Sequence, residues 1–114
     1  MFMILCVIDQ PEHLNRILQA WRENGIAGVT ILESTGLHRL SQQMPVPMRY
    51  AFGHASAERG NITLFTLVEQ EGTIQHCLKI TEGIVGDFNE PNTGIFVSWP
   101  VGFCKGVNSK HAPS

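Results

Sequence analysis

The residues of this 114-residue chain with the chemistry to ligate a metal or attack a substrate are three cysteines and five histidines. Cys6, Cys77 and Cys104 are odd in number and widely separated, so they offer neither the paired spacing of a zinc site nor the even count of a disulfide framework. They read as structural thiols. His38, His54, His76 and His111 stand apart from one another and from any carboxylate at a helical i, i+4 spacing, and His13 is alone on the first helix. No serine or cysteine sits in a nucleophile-elbow context. The expectation is a protein that is not an enzyme, with no catalytic residue, no resident metal and no covalent cofactor.

The charged residues say more through their placement. Between Leu37 and Gly60, Arg39, Arg49 and Arg59 stand against Glu58 alone, giving +2, while the other five basic and nine acidic side chains give −4. The total of −2 thus averages a basic segment and an acidic body. The stretch from Thr35 to Gly60 has no sustained period and carries Pro45 and Pro47. At roughly 25 residues it exceeds the ~12–15 above which a loop in a compact domain is usually functional or disordered. A segment of this length calls for an explanation.

The elements that must position these residues follow from periodicity. The length bounds the chain to one domain, read as residues 1–107 with a small, polar, frayed tail at 108–114. With 43% hydrophobic and 16% charged residues, disorder is excluded as the default. No run reaches the ~18 apolar residues of a membrane span, and the apolar opening lacks the basic start of a secretory signal. A cytoplasmic protein is expected, with neither membrane insertion nor nucleic acid among its partners.

Phe2 to Ile8 is an apolar, branched run that reads as a strand buried on both faces and central in its sheet. Asp9 is placed to cap a helix opened by Pro11 and Glu12, with Leu14, Ile17, Leu18 and Trp21 as its apolar stripe and Asn24-Gly25 as its end. Ala27 to Ser34 reads as a strand. Asn61 to Glu69 reads as another, with Ile62, Leu64, Thr66 and Val68 on one face and Phe65 and Leu67 on the other. Glu71 to Glu82 turns helical, with Ile74, Cys77, Leu78 and Thr81 on one stripe and Gly83 as a stop; Ile95 to Trp99 is a last strand, ended by Pro100. Trp99 and Phe103 read as packing or interface residues.

The order β-α-β, long loop, β-α-β predicts an α+β ferredoxin-like βαββαβ sandwich, a four-stranded antiparallel sheet with two helices on one face. The other sheet face is then left apolar and bare in a single chain, which marks a subunit contact.

The run Gly25-Ile26-Ala27-Gly28-Val29-Thr30, with Glu33 three positions on and Gly36 ahead of Arg39, resembles the nitrogen-regulatory PII signalling proteins. Gly83-Ile84-Val85-Gly86-Asp87 and Ile95-Phe96-Val97 extend the resemblance through the second half. It implies a homotrimer of the same ferredoxin-like fold. It also implies a small anionic effector, an adenine nucleotide, held in clefts between subunits. The residues carried over to that role are Thr30, Gly36 and Arg39 on one side of the cleft, Gly86 and Asp87 in the second loop, and Lys105. The long segment would correspond to the family's T-loop, with Arg49, Tyr50 and Arg59 in it, docking on a regulated enzyme, transporter or other protein in nitrogen or carbon metabolism. Tyr50 reads as a loop anchor or as a modification site. Three positions depart from the family: His38 replaces a glycine, Gly94 a phosphate-contacting lysine, and Val107 a second C-terminal cation. A metal-handling or purely structural trimer, similar to the copper-tolerance family, is the alternative, with His38 or His54 converging on Cys104 as its mark.

Overall fold

The computed structural model describes residues 1–34 and 60–107. Four strands, β1 (Phe2–Ile8), β2 (Thr30–Ser34), β3 (Asn61–Val68) and β4 (Gly94–Pro100), form one sheet in the order β2-β3-β1-β4, every neighbouring pair antiparallel. Two helices, α1 (Leu14–Glu23) and α2 (Glu71–Val85), connect them in the βαββαβ sequence, and the fold is the expected α+β, ferredoxin-like one. β1 is an inner strand, as its unbroken apolar run requires. Among the described residues, no helix is long and apolar enough to cross a membrane.

The core lies between the helices and one sheet face. Ile4, Cys6 and Ile8 of β1 and Ile62, Leu64 and Val68 of β3 point into it, meeting Ile17 and Trp21 of α1 and Ile74 and Cys77 of α2. Trp21, the largest buried side chain, carries a polar N–H into this apolar space, where an unmade hydrogen bond would be costly. Its Nε1 donates to Thr81 Oγ1 at 2.9 Å, and that hydroxyl donates to the Cys77 carbonyl at 2.7 Å, tying α1 to α2.

The end of α1 follows its sequence signal. Gly25 takes φ 82°, its N–H donates to the Arg22 carbonyl at 3.2 Å, and the Ile26 N–H donates to the Trp21 carbonyl at 2.9 Å. This pair of bonds is the Schellman closure, and Ile26 is buried beside it.

Several boundaries differ from expectation. The Pro11–His13 segment is a 3-10 turn capped by Gln10 rather than Asp9, without a side-chain cap bond, and the α-helix begins at Leu14. Gly83 does not stop α2, which runs on to Val85 and closes at Gly86, where φ is 98°. In α2 Leu78 is only half-buried, while Ile80 and Ile84 pack on the core. β2 starts at Thr30 rather than Ala27, because Gly28 at φ 71° bends the chain out of extended geometry just before it. Pro100 lies inside β4, which an edge strand tolerates.

Candidate functional site

The register defines the sheet face opposite the helices. Leu32, Thr63, Val7 and Ile95 form one row across the four strands, Thr30, Phe65, Leu5 and Val97 the next, and Leu67, Met3 and Trp99 a third. No described helix covers this face. Ile95 is 56% exposed, Leu32 51%, and Val97 and Trp99 41% each. A contiguous apolar surface of this kind is rare on an isolated soluble domain.

The same register sorts the loops by end. Ser34, Asn61, Ile8 and Gly94 lie together at one end of the sheet, since Ser34 pairs with Asn61 and Ile8 pairs with Ile62 and Gly94. The 35–59 segment therefore leaves and re-enters the sheet at the end where residues 86–93 connect α2 to β4. The Asp9 N–H donates to the Thr93 carbonyl at 3.3 Å across that end.

The candidates drawn from the sequence are dispersed in one chain. Thr30 is exposed on the edge strand β2, in the middle row of the open face. Gly86 and Asp87 are at the C-terminal end of α2, in the connection that enters β4 at the end of the sheet where Ser34 and Asn61 pair. Lys105 is exposed and follows β4 at the opposite end of the sheet, where Phe2 pairs with Pro100 and the Val101 N–H donates to the Met1 carbonyl at 3.0 Å. Gly36, Arg39, Arg49, Tyr50 and Arg59 lie outside the described residues, as do His38, His54 and the 108–114 tail. Among the described residues, no group of three or more His, Cys, Asp or Glu side chains is arranged to hold a metal.

Residues 86–93 are bonded internally. The Phe88 N–H donates to Glu82 Oε2 at 3.0 Å, the Asn89 N–H to Asp87 Oδ1 at 2.9 Å, and the Glu90 N–H to the Asp87 carbonyl at 3.0 Å. The Gly86 N–H is used by the Glu82 carbonyl. Phe88 anchors the segment, its ring centroid 5.9 Å from that of Phe96. The amides that sequence reasoning would aim at a phosphate are therefore already occupied. Glu82, Asp87 and Glu90 add three negative charges, and no lysine or arginine lies between Lys79 and Lys105. This segment does not fit a phosphate chain.

One residue of this end had no signal in the sequence. Asn61 is 8% exposed, and its Oδ1 is buried with no hydrogen-bond partner among the described residues. It faces the open side of the sheet, one pair beyond Thr63.

No protein-family model matches the chain, and no curated protein matches it.

Proposed function

We propose that this chain is a PII-like regulator. In this reading it is a homotrimer that joins through the open sheet face, takes a small effector between subunits, and signals to a partner protein through the 35–59 segment. The observation that carries the reading is the apolar face itself. Nine apolar side chains from four strands share it, and a second copy presents the same chemistry in return. The dispersal of Thr30, Gly86, Asp87 and Lys105 fits the same picture. Lys105 of one copy and the 86–93 end of another must approach for these residues to line one cleft.

The resemblance in sequence supplies the effector class, adenine nucleotides and their relatives. Binding would select one conformation of the signalling segment, and a partner would prefer that conformation. Sedimentation of the wild type and of Val97→Lys with Trp99→Glu tests the assembly. The wild type is expected to run as a trimer and the variant as a folded monomer. Calorimetric titration with ATP, ADP, AMP, a cyclic nucleotide and adenosine tests the effector. A monomeric wild type, or a confirmed trimer giving no heat with any of the five, removes the corresponding half of the reading.

A further inference from the structure

We propose that Asn24–Gly25 is a self-modifying site, at which Asn24 deamidates through a cyclic imide at a rate set by the clasp that ties its side chain to both helices. The proposal concerns the junction between α1 and β2 and stands apart from the assembly and effector readings above.

The chain has six asparagines, and only Asn24 is followed by glycine. Glycine lacks a Cβ, so its nitrogen is unhindered in attacking the preceding side-chain amide. In that reaction the Gly25 nitrogen bonds to Asn24 Cγ and gives up its proton, the Cγ–Nδ2 bond breaks, and ammonia leaves. Water then opens the imide ring at either carbonyl, leaving aspartate or isoaspartate. Asn24 is exposed, so water reaches it. The folded geometry holds the reacting groups apart. A ψ of 19° at Asn24 turns the Gly25 nitrogen away from the side chain, whereas ring closure requires both on one side of the Cα–C bond. The Gly25 N–H is held by the Arg22 carbonyl at 3.2 Å. Asn24 Nδ2 donates to the Ala20 carbonyl at 2.7 Å, which leaves Oδ1 to accept from His76 Nε2 of α2 at 3.0 Å. Reaction therefore needs these three bonds to open while the rest stays folded, and an exposed helix end is where local opening costs least. The product cannot rebuild the clasp. A carboxylate at residue 24 has no N–H for the Ala20 carbonyl and adds negative charge at the negative end of α1. Isoaspartate also routes the backbone through Cβ, inside the Schellman closure that leads into Ile26.

The test incubates the full chain in mildly alkaline buffer, folded and in urea, and maps deamidation by peptide mass spectrometry. In both states Asn24 is expected to convert ahead of the other five asparagines. The folded rate should be at least about tenfold below the rate in urea, the worth of three hydrogen bonds. His76→Ala should raise the folded rate about two- to tenfold, the worth of one bond, and leave the rate in urea unchanged. Folded and urea rates that coincide, a different asparagine converting first, or a folded His76→Ala at the wild-type rate would each overturn the proposal. Should His76→Ala lose the fold, the wild-type ratio and order decide. In aged, deamidated protein the Gly25 and Ile26 amides should exchange hydrogen faster than in fresh protein, and unchanged protection there would overturn the claim that the product cannot rebuild the clasp. Sedimentation and nucleotide titration share no readout with these rates, so a failure of the regulator reading shows separately.

Discussion

Two glycines of this chain should respond to alanine with opposite signs, and the reason is geometric. At Gly94 an added Cβ falls 1.9 Å from the Val7 carbonyl oxygen, 3.0 Å from its carbon and 3.2 Å from the Ile8 Cα. These are backbone atoms of an inner strand, so no side chain can swing aside. Restoring even a 3.0 Å separation needs a shift of more than 1 Å, at the Ile8–Gly94 pair that ends the β1–β4 ladder. The φ of 137° adds strain of about 1–3 kcal/mol for a residue with a Cβ. Losing one or two bonds at that end, the Asp9 to Thr93 bond included, adds about 0.5–1.5 kcal/mol each. Gly94→Ala should therefore cost about 2–5 kcal/mol in all. Gly83 lies within α2 with nothing within 4 Å of an added Cβ, so Gly83→Ala should stabilise by about 0.5–1 kcal/mol. Urea unfolding at one fixed protein concentration reads both. With a slope of about 2 kcal/mol per molar, the Gly94→Ala midpoint should fall by roughly 1–2.5 M and the Gly83→Ala midpoint should rise by a few tenths. A Gly94→Ala midpoint within about 0.3 M of the wild type would refute the steric argument.

Two further outcomes are expected. Burial pushes the Cys6 and Cys77 thiols up to about 12, with nearby Cys77 adding to the rise at Cys6 and a hydrogen bond with the Thr81 side chain opposing it at Cys77. An aromatic disulfide reagent at mildly alkaline pH should thus label only exposed Cys104 in the native protein, and all three cysteines after denaturation. Between the ordinary thiol value of 9.0 and about 12, the unfolded chain has released protons that the folded chain still holds. Stability contributed by these groups is full below pH 9 and falls as pH rises through that window; a flat urea midpoint there contradicts the assignment. Deleting residues 41–57 should leave the fold and its assembly intact, because Ser34 and Asn61 are already paired across the β2–β3 ladder and a short connection spans them. Partner binding should be lost, and aggregation of the deletion variant would show the segment to be structural.

What the sequence discloses is what repeats locally. The alternation in β3 is visible because Ile62, Leu64, Thr66 and Val68 all meet the helices, and the period of two is the only information needed. The end of α1 is visible because a left-handed glycine followed by an apolar residue is a self-contained device. β2 is harder. Ile31 and Leu32 point to opposite faces yet are 42% and 51% exposed, since an edge strand leaves part of each face uncovered. Nothing in their residue types announces that. Gly83 misleads for a similar reason: a glycine stops a helix only when the backbone there turns left-handed, and that happens three residues later at Gly86. The role of Glu82 and Asp87 is the least legible, because it depends on which acceptor reaches which N–H.

The division of the chain into two ends bears on how a signal would pass. The connections at the Ser34–Asn61 end include both the root of the basic segment and the acidic 86–93 turn, whereas Lys105 belongs to the other end. A ligand seated between copies would touch one end of one chain and the other end of its neighbour. Its binding energy would then depend on their relative placement, which in the proposed assembly would be set by the open sheet face through Val97, Trp99 and their row partners. Loosening that face should weaken effector binding, although neither Val97 nor Trp99 is among the residues assigned to the cleft. A folded Val97→Lys, Trp99→Glu monomer that keeps wild-type affinity would show that one chain makes the whole site and that assembly has no part in sensing.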